Sequence, residues 1–152
     1  LYLAVLNNIM VSWNTFFNDV GVDDDPGEAL DKFIRQKVEL SFEQPTASRL
    51  FANEMLQGAP YLSDYLQGVM RPWVQDRADI IKSWIDAGKM RPIDPVLLIF
   101  MIWATTQHYA DFQVQVLSIL NKQTYDETLT EKIADFLSAT ILCSLGLSAG
   151  QS

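Results

Sequence analysis

Metal and thiol chemistry have almost nothing to work with in this chain. It holds one cysteine, Cys143, and one histidine, His108, in 152 residues. A lone cysteine closes no internal disulfide, so a reducing, intracellular compartment is the simpler expectation. One Cys and one His also exclude a zinc site of those ligands within one chain. Cationic residues are scarce as well. Lys and Arg total 11 against 19 Asp and Glu, a formal charge of −8. The cations are scattered, whereas a phosphate-binding surface needs them clustered. The longest apolar run, Val96 to Ala104, is too short to cross a bilayer. No basic, apolar and small-residue pattern marks a signal peptide. Alternating β-branched runs bounded by turns are missing, as are internal repeats, so strands are not expected.

Helix punctuation is what the chain does have. A first helix is predicted from the start to about Asp19. "GVDDDPGEAL" ends it and opens a second, with Asp25 as N-cap, Pro26 at N1 and Glu28 at N3. That helix carries Ala29, Phe33, Ile34, Val38 and Leu40 or Ser41 at helical spacing. Pro45 restarts the chain for a helix to about Gln57. Pro60 then opens a long helix to about Ala87, which Gly88 caps. Asp94 and Pro95 repeat the capping device for a helix to about Leu120. After a polar loop, a last helix covers about Asp126 to Leu145. Six helices without strands predict an all-α fold.

The last two helices carry more apolar surface than a small domain readily buries. In the final one Ile133, Phe136, Leu137, Thr140, Ile141 and Ser144 follow a helical stripe, yet Ala134, Leu142, Cys143 and Leu145 beside it are also apolar or small. The helix after Asp94 is apolar on every side as far as Ala104. A two-fold homodimer is the natural remedy, its last two helices forming an intermolecular four-helix bundle. Its expected interface holds Ile133, Phe136, Leu137, Thr140 and Ile141, with Met101, His108 and Phe112 from the preceding helix.

Most candidate motifs have plain explanations. "GLSAG", residues 146–150, matches a nucleophile elbow in letters only, because a helix precedes it and no His follows. Asp23 to Asp25 lack the ligand pattern of a calcium loop and suit a solvated loop with one N-cap. Cys143 has no cationic sequence neighbour, so a buried, inert thiol is expected. His108 reads as an interface histidine or a general base, with Asp111 at i+3 able to orient its ring. No catalytic residue, metal or cofactor is expected. Trp103 and Gln107 are the sharper pair. Spaced i, i+4, they share one helix face, and an indole beside a primary amide suits a small planar ligand. The alternative is a core tryptophan and a glutamine bonded to nearby backbone.

Several stretches carry a family resemblance. "LYLAVL" is similar to the start of the helix that joins reader and sensor domains in TetR-type repressors. "ASRLF", "EMLQGAP", "GKMRPIDP" and above all "LIFMIWATTQHYADF" resemble the sensor domain of the branch that regulates pyrimidine use. The resemblance runs without gaps from Leu1 to about Val116, while "NKQTYDETLTEKIADF" departs from it. It implies an all-α sensor, a homodimer through the last two helices, and DNA binding controlled by a small effector, uracil or thymine. Trp103 and Gln107 match pocket residues, and Trp13, Phe51 and Met55 are implied as further lining. Residues 1–19 would then link to a DNA-reading domain upstream of Leu1, residues 20–147 would form the sensor, and 148–152 a tail. Operator DNA would be met only through that upstream domain, in the bacterial cytoplasm and on the nucleoid. An all-α adaptor without ligand, or a sensor for another small molecule, is the alternative.

Overall fold

Two aspartate–proline pairs and a third aspartate, Asp126, set the main helix starts. The computed structural model describes residues 1–149, apart from the side chains of Asn14 and Phe16. The helices are α1 (Tyr2–Asn18), α2 (Pro26–Glu43), α3 (Pro45–Leu56), a single turn α4 (Ser63–Tyr65), α5 (Arg71–Asp86), α6 (Pro95–Asp111), α7 (Gln113–Leu120) and α8 (Glu127–Ser144). Among the described residues there are no strands. The two predicted aspartate caps form, and Asp126, read as the first residue of the last helix, is a third. Asp25 accepts from the Glu28 N–H at 2.9 Å, Asp94 from Val96 and Leu97 at 2.9 and 3.1 Å, and Asp126 from Leu129 at 2.7 Å. Each satisfies donors that a helix start leaves open. Gly88, at φ +72°, ends α5 as Lys89 N–H reaches back to the Trp84 carbonyl at 2.9 Å.

Two long helices of the sequence reading are broken. Pro60 does not start one. Glu54 accepts the N–H groups of Tyr61 at 2.7 Å and Leu62 at 3.0 Å, which holds that segment as a turn after Ala59, itself at φ +56°. Farther on, Leu66–Met70 forms a π-helical turn in which the Arg71 N–H bonds the Leu66 carbonyl, five residues back. Pro72 explains it, since proline has no N–H to offer the Gly68 carbonyl and its ring crowds that position. The helix from Pro95 breaks at Phe112, at φ −114° and ψ 32°. There Arg49 of α3 donates to the Ala110 carbonyl at 3.3 Å and to Gln113 Oε1 at 2.8 Å. In an unbroken helix that carbonyl belongs to the Val114 N–H.

The core lies where α2 packs against both α6 and α8. Phe33, Ile34 and Val38 of α2 meet Leu98, Ile99 and Ile102 of α6 and the inner face of α8. This corrects the interface assignment. Ile133, Leu137 and Ile141 are buried in the chain's own core, because α2 needs that stripe, and a second line of Ala134, Ser138 and Leu142 is buried with it. Of the five α8 residues assigned to a dimer, only Phe136, 62% exposed, and Thr140 face outward. Cys143 is likewise exposed, not buried, since it stands two residues from Ile141 on the opposite side of α8. The α8 end is closed by Gly146 at φ +71° and by Leu147 N–H on the Leu142 carbonyl at 2.9 Å, so "GLSA" is a helix stop, and Gly150 lies outside the described residues.

Both ends of α1 are tied down by single side chains. At its start the Tyr2 hydroxyl donates to Glu54 at 3.2 Å. At its end buried Arg77 donates to the carbonyls of Phe17 and Val20, each at 2.7 Å, while Asp76 holds the guanidinium at 2.6 Å. The inward stripe of α8 can be tested directly. Ile141→Asp places an unpaired charge among core side chains and should cost the fold about 3–5 kcal/mol. Urea denaturation checks this, and wild-type stability in the variant would show that Ile141 does not support the monomer.

Candidate functional site: an aromatic cavity with a buried lysine

Helices α1, α2, α3, α5 and α6 leave a cavity of about 640 Å³ between them. That is room for a small molecule and falls within the usual range of ligand pockets. Each wall follows from a helical face. Trp13 comes from α1, Phe51 and Met55 from α3, Leu66 and Met70 from the π-helical turn, and Phe100, Trp103 and Gln107 from α6. The five residues named from the sequence, Trp103, Gln107, Trp13, Phe51 and Met55, therefore line one space. Trp13 meets Phe51 edge to face at 5.4 Å, and Trp103 lies nearly parallel to Trp73 at 6.1 Å, with Phe100 tilted beside it at 5.9 Å. Trp73 is fixed in turn, its indole N–H donating to Asn18 at 2.6 Å.

The polar run in "IWATTQHYADF" separates into different tasks. Thr106 is fully buried and donates to the Ile102 carbonyl at 2.7 Å, and Thr105 donates to the Met101 carbonyl at 2.8 Å. Both hydroxyls are satisfied within their own helix. Gln107 differs. Its amide takes part in none of the hydrogen bonds among the described residues, and it lines the cavity. His108 points elsewhere. It is exposed, stacked on Phe112 at 5.2 Å and edge-on to Tyr109 at 5.5 Å. Asp111 does not orient it, because its Oδ1 accepts from Ser48 at 2.6 Å.

Sequence reasoning passed over Lys37. It sits between Ile34, Val38 and Ser41 on the inward stripe of α2, and only 3% of it is exposed. A lysine in a core register was the available signal. Its ammonium lies 4.6 Å from the centre of the Trp13 ring and lines the cavity. None of the ion pairs among the described residues includes it. Burial pushes its pKa down to about 8, against a smaller upward pull from Asp111. Arg71 and Gln75 stand at the exposed mouth.

The residues assigned to an interface scatter more. His108 and Phe136 line a second, shallower groove of about 370 Å³ with Ile119 and Leu120, and Ile133 forms part of its floor. Exposed Phe112 stacks on the His108 beside it. Met101 is exposed but is not among the residues of that groove. Val114, 82% exposed, and Ile119 extend the apolar face along α7 and were missed because that helix had been read as the tail of α6.

The family model described as "YcdC-like protein, C-terminal region" matches residues 6–148. The HTH-type transcriptional regulator RutR of Escherichia coli (strain K12) is 41% identical over 142 residues, which is 93% of this chain and 67% of the relative. RutR of Shigella flexneri and of Escherichia coli O157:H7 match with the same identity and coverage. With an all-helical fold and a match over nearly its whole length, the chain belongs to the YcdC-like C-terminal domains of TetR-type transcriptional regulators.

Proposed function

We propose that this domain senses a small planar ligand of the uracil or thymine type and passes its occupancy to a DNA-reading domain through α1. The observation that carries the reading is the meeting of Trp13, Phe51, Met55, Trp103 and the Gln107 amide, which has no hydrogen bond among the described residues, around one cavity. Uracil presents O2, N3–H and O4 along one edge. The amide accepts from N3–H and donates to one carbonyl, and indole and phenyl rings cover the base faces or edges. In an apolar cavity water competes poorly for such a pair. Residues 1–19 supply the link, and residues 20–147 the sensor body. A dimer of such regulators holds its reading heads about 34 Å apart, one helical turn of DNA. A ligand that fits one setting of α1 better than another shifts head spacing by its differential affinity. The work is regulatory, in the cytoplasm, and catalysis has no part in it.

We also place the homodimer on the outer face formed by Phe112 of the α6–α7 corner, Val114 and Ile119 of α7, and Phe136 and Thr140 of α8. Ile119 and Phe136 line the His108 groove, Phe112 stacks on His108, and the exposed apolar side chains here are what the monomer leaves uncovered. Calorimetry with uracil on wild type, Trp103→Ala and Gln107→Ala tests the ligand. Each variant should lose about 1–3 kcal/mol of binding. No binding at millimolar uracil, or equal binding by all three, rejects the reading. Light scattering on a sizing column tests the dimer. Wild type should run at twice the chain mass, and Phe136→Asp should run as a monomer with unchanged helicity. A monomeric wild type rejects the interface.

A further inference from the structure

Gln107 alone is an incomplete recognition element, since an amide turned over exchanges its donor and acceptor. A second contact of fixed polarity has to come from elsewhere on the cavity wall. Gln75 could turn over in the same way, and Arg71 stands exposed at the mouth. Lys37 differs from both. It is an ammonium with three donors and no acceptor, it is 3% exposed, and it borders the same space as Gln107. Among the described residues its ammonium has no hydrogen-bond acceptor, and burying an ammonium in that way is costly. The Trp13 face at 4.6 Å offsets part of that cost. The one carboxylate acting on it, Asp111, is not within ion-pairing distance and already accepts from Ser48 at 2.6 Å.

We infer that Lys37 is the second polar anchor of this cavity, donating to an oxygen of the ligand that flanks the edge paired with Gln107. The ligand class is thereby narrowed to planar rings whose edge paired with Gln107 is flanked by an acceptor oxygen, the cyclic imides uracil and thymine among them. This rests on the base-sensing reading above. A charge-assisted bond in a dry site is the stronger of the two contacts. It selects for a flanking oxygen, not against an amino group: cytosine can turn its O2 to Lys37 and satisfy the same anchor.

The test compares ligands that differ by that oxygen. Pyrimidin-4-one keeps N3–H and one carbonyl of uracil and lacks the second, and 2-piperidone stands in the same relation to glutarimide. Calorimetry at pH 8 on wild type should show uracil binding at least about tenfold more tightly than pyrimidin-4-one, and Lys37→Met should bring the ratio close to one. Lys37→Met should fold and melt at or above the wild-type temperature, because burial already disfavours the ammonium. Should it fail to fold, wild type suffices. Lys37 titrates near pH 8, so an oxygen that binds its charged form draws a proton from the buffer on binding. Wild type should show that uptake on binding uracil when buffers of different ionisation heat are compared, and Lys37→Met should not. An unchanged ratio in Lys37→Met, or no proton uptake by wild type on binding uracil, overturns the assignment. If uracil does not bind but glutarimide outbinds 2-piperidone only when Lys37 is present, the base reading fails and the anchor stands. If none of the four compounds binds wild type at millimolar concentration, both fail.

Discussion

The last carbonyls of a helix need donors, and at the end of α1 one buried guanidinium provides them. Arg77 bonds the Phe17 and Val20 carbonyls and is itself held by Asp76. A cation at a helix C-terminus is favoured by the aligned peptide dipoles as well as by the bonds themselves. With that contact α1 is fixed against α5, Phe17 stacks on Phe33 of α2 at 4.7 Å, and Trp13 becomes a wall. Without it the cavity would lose one side. The opposite end of α1 depends on a carboxylate. Glu54 binds Tyr2 and two backbone N–H groups from one buried position. It stands on α3 three residues from Phe51 and one before Met55, so on the proposed reading a ligand against those side chains would act on the helix that holds the α1 start.

Local chemistry was readable in the sequence, and nonlocal competition was not. Asp25 and Asp94 cap the helices they precede, as read, because an N-cap needs only its next few residues; Asp126 had been placed inside its helix and caps it instead. Trp103 and Gln107 share a face because helical geometry requires it. The break at Phe112 was invisible, since it depends on Arg49 reaching across from another helix for one carbonyl. The π-helical turn was legible in principle: Gly68 and Pro72 stand four apart, and proline leaves that carbonyl without its donor. The apolar excess of α8 was misassigned for a different reason. A stripe shows that a face is covered, not whether the cover comes from the same chain, and here α2 covers Ile133, Leu137 and Ile141. Lys37 was missed because a charged residue in a helix reads as solvent-facing until its neighbours at 34, 38 and 41 are seen to point inward.

Helix α6 divides its circumference among three neighbours. Ile102, Thr106 and Ala110 face the core, Trp103, Ala104 and Gln107 face the cavity, and Met101, His108 and Phe112 face outward. The three sets interleave along the chain but do not share positions. For descent with modification this is a permissive arrangement. Changes at 103, 104 and 107 can alter what the cavity accepts while the line through 102, 106 and 110 keeps the fold intact. On the proposed reading, single changes on the cavity face would retune the ligand while the core contacts of the scaffold stay as they are.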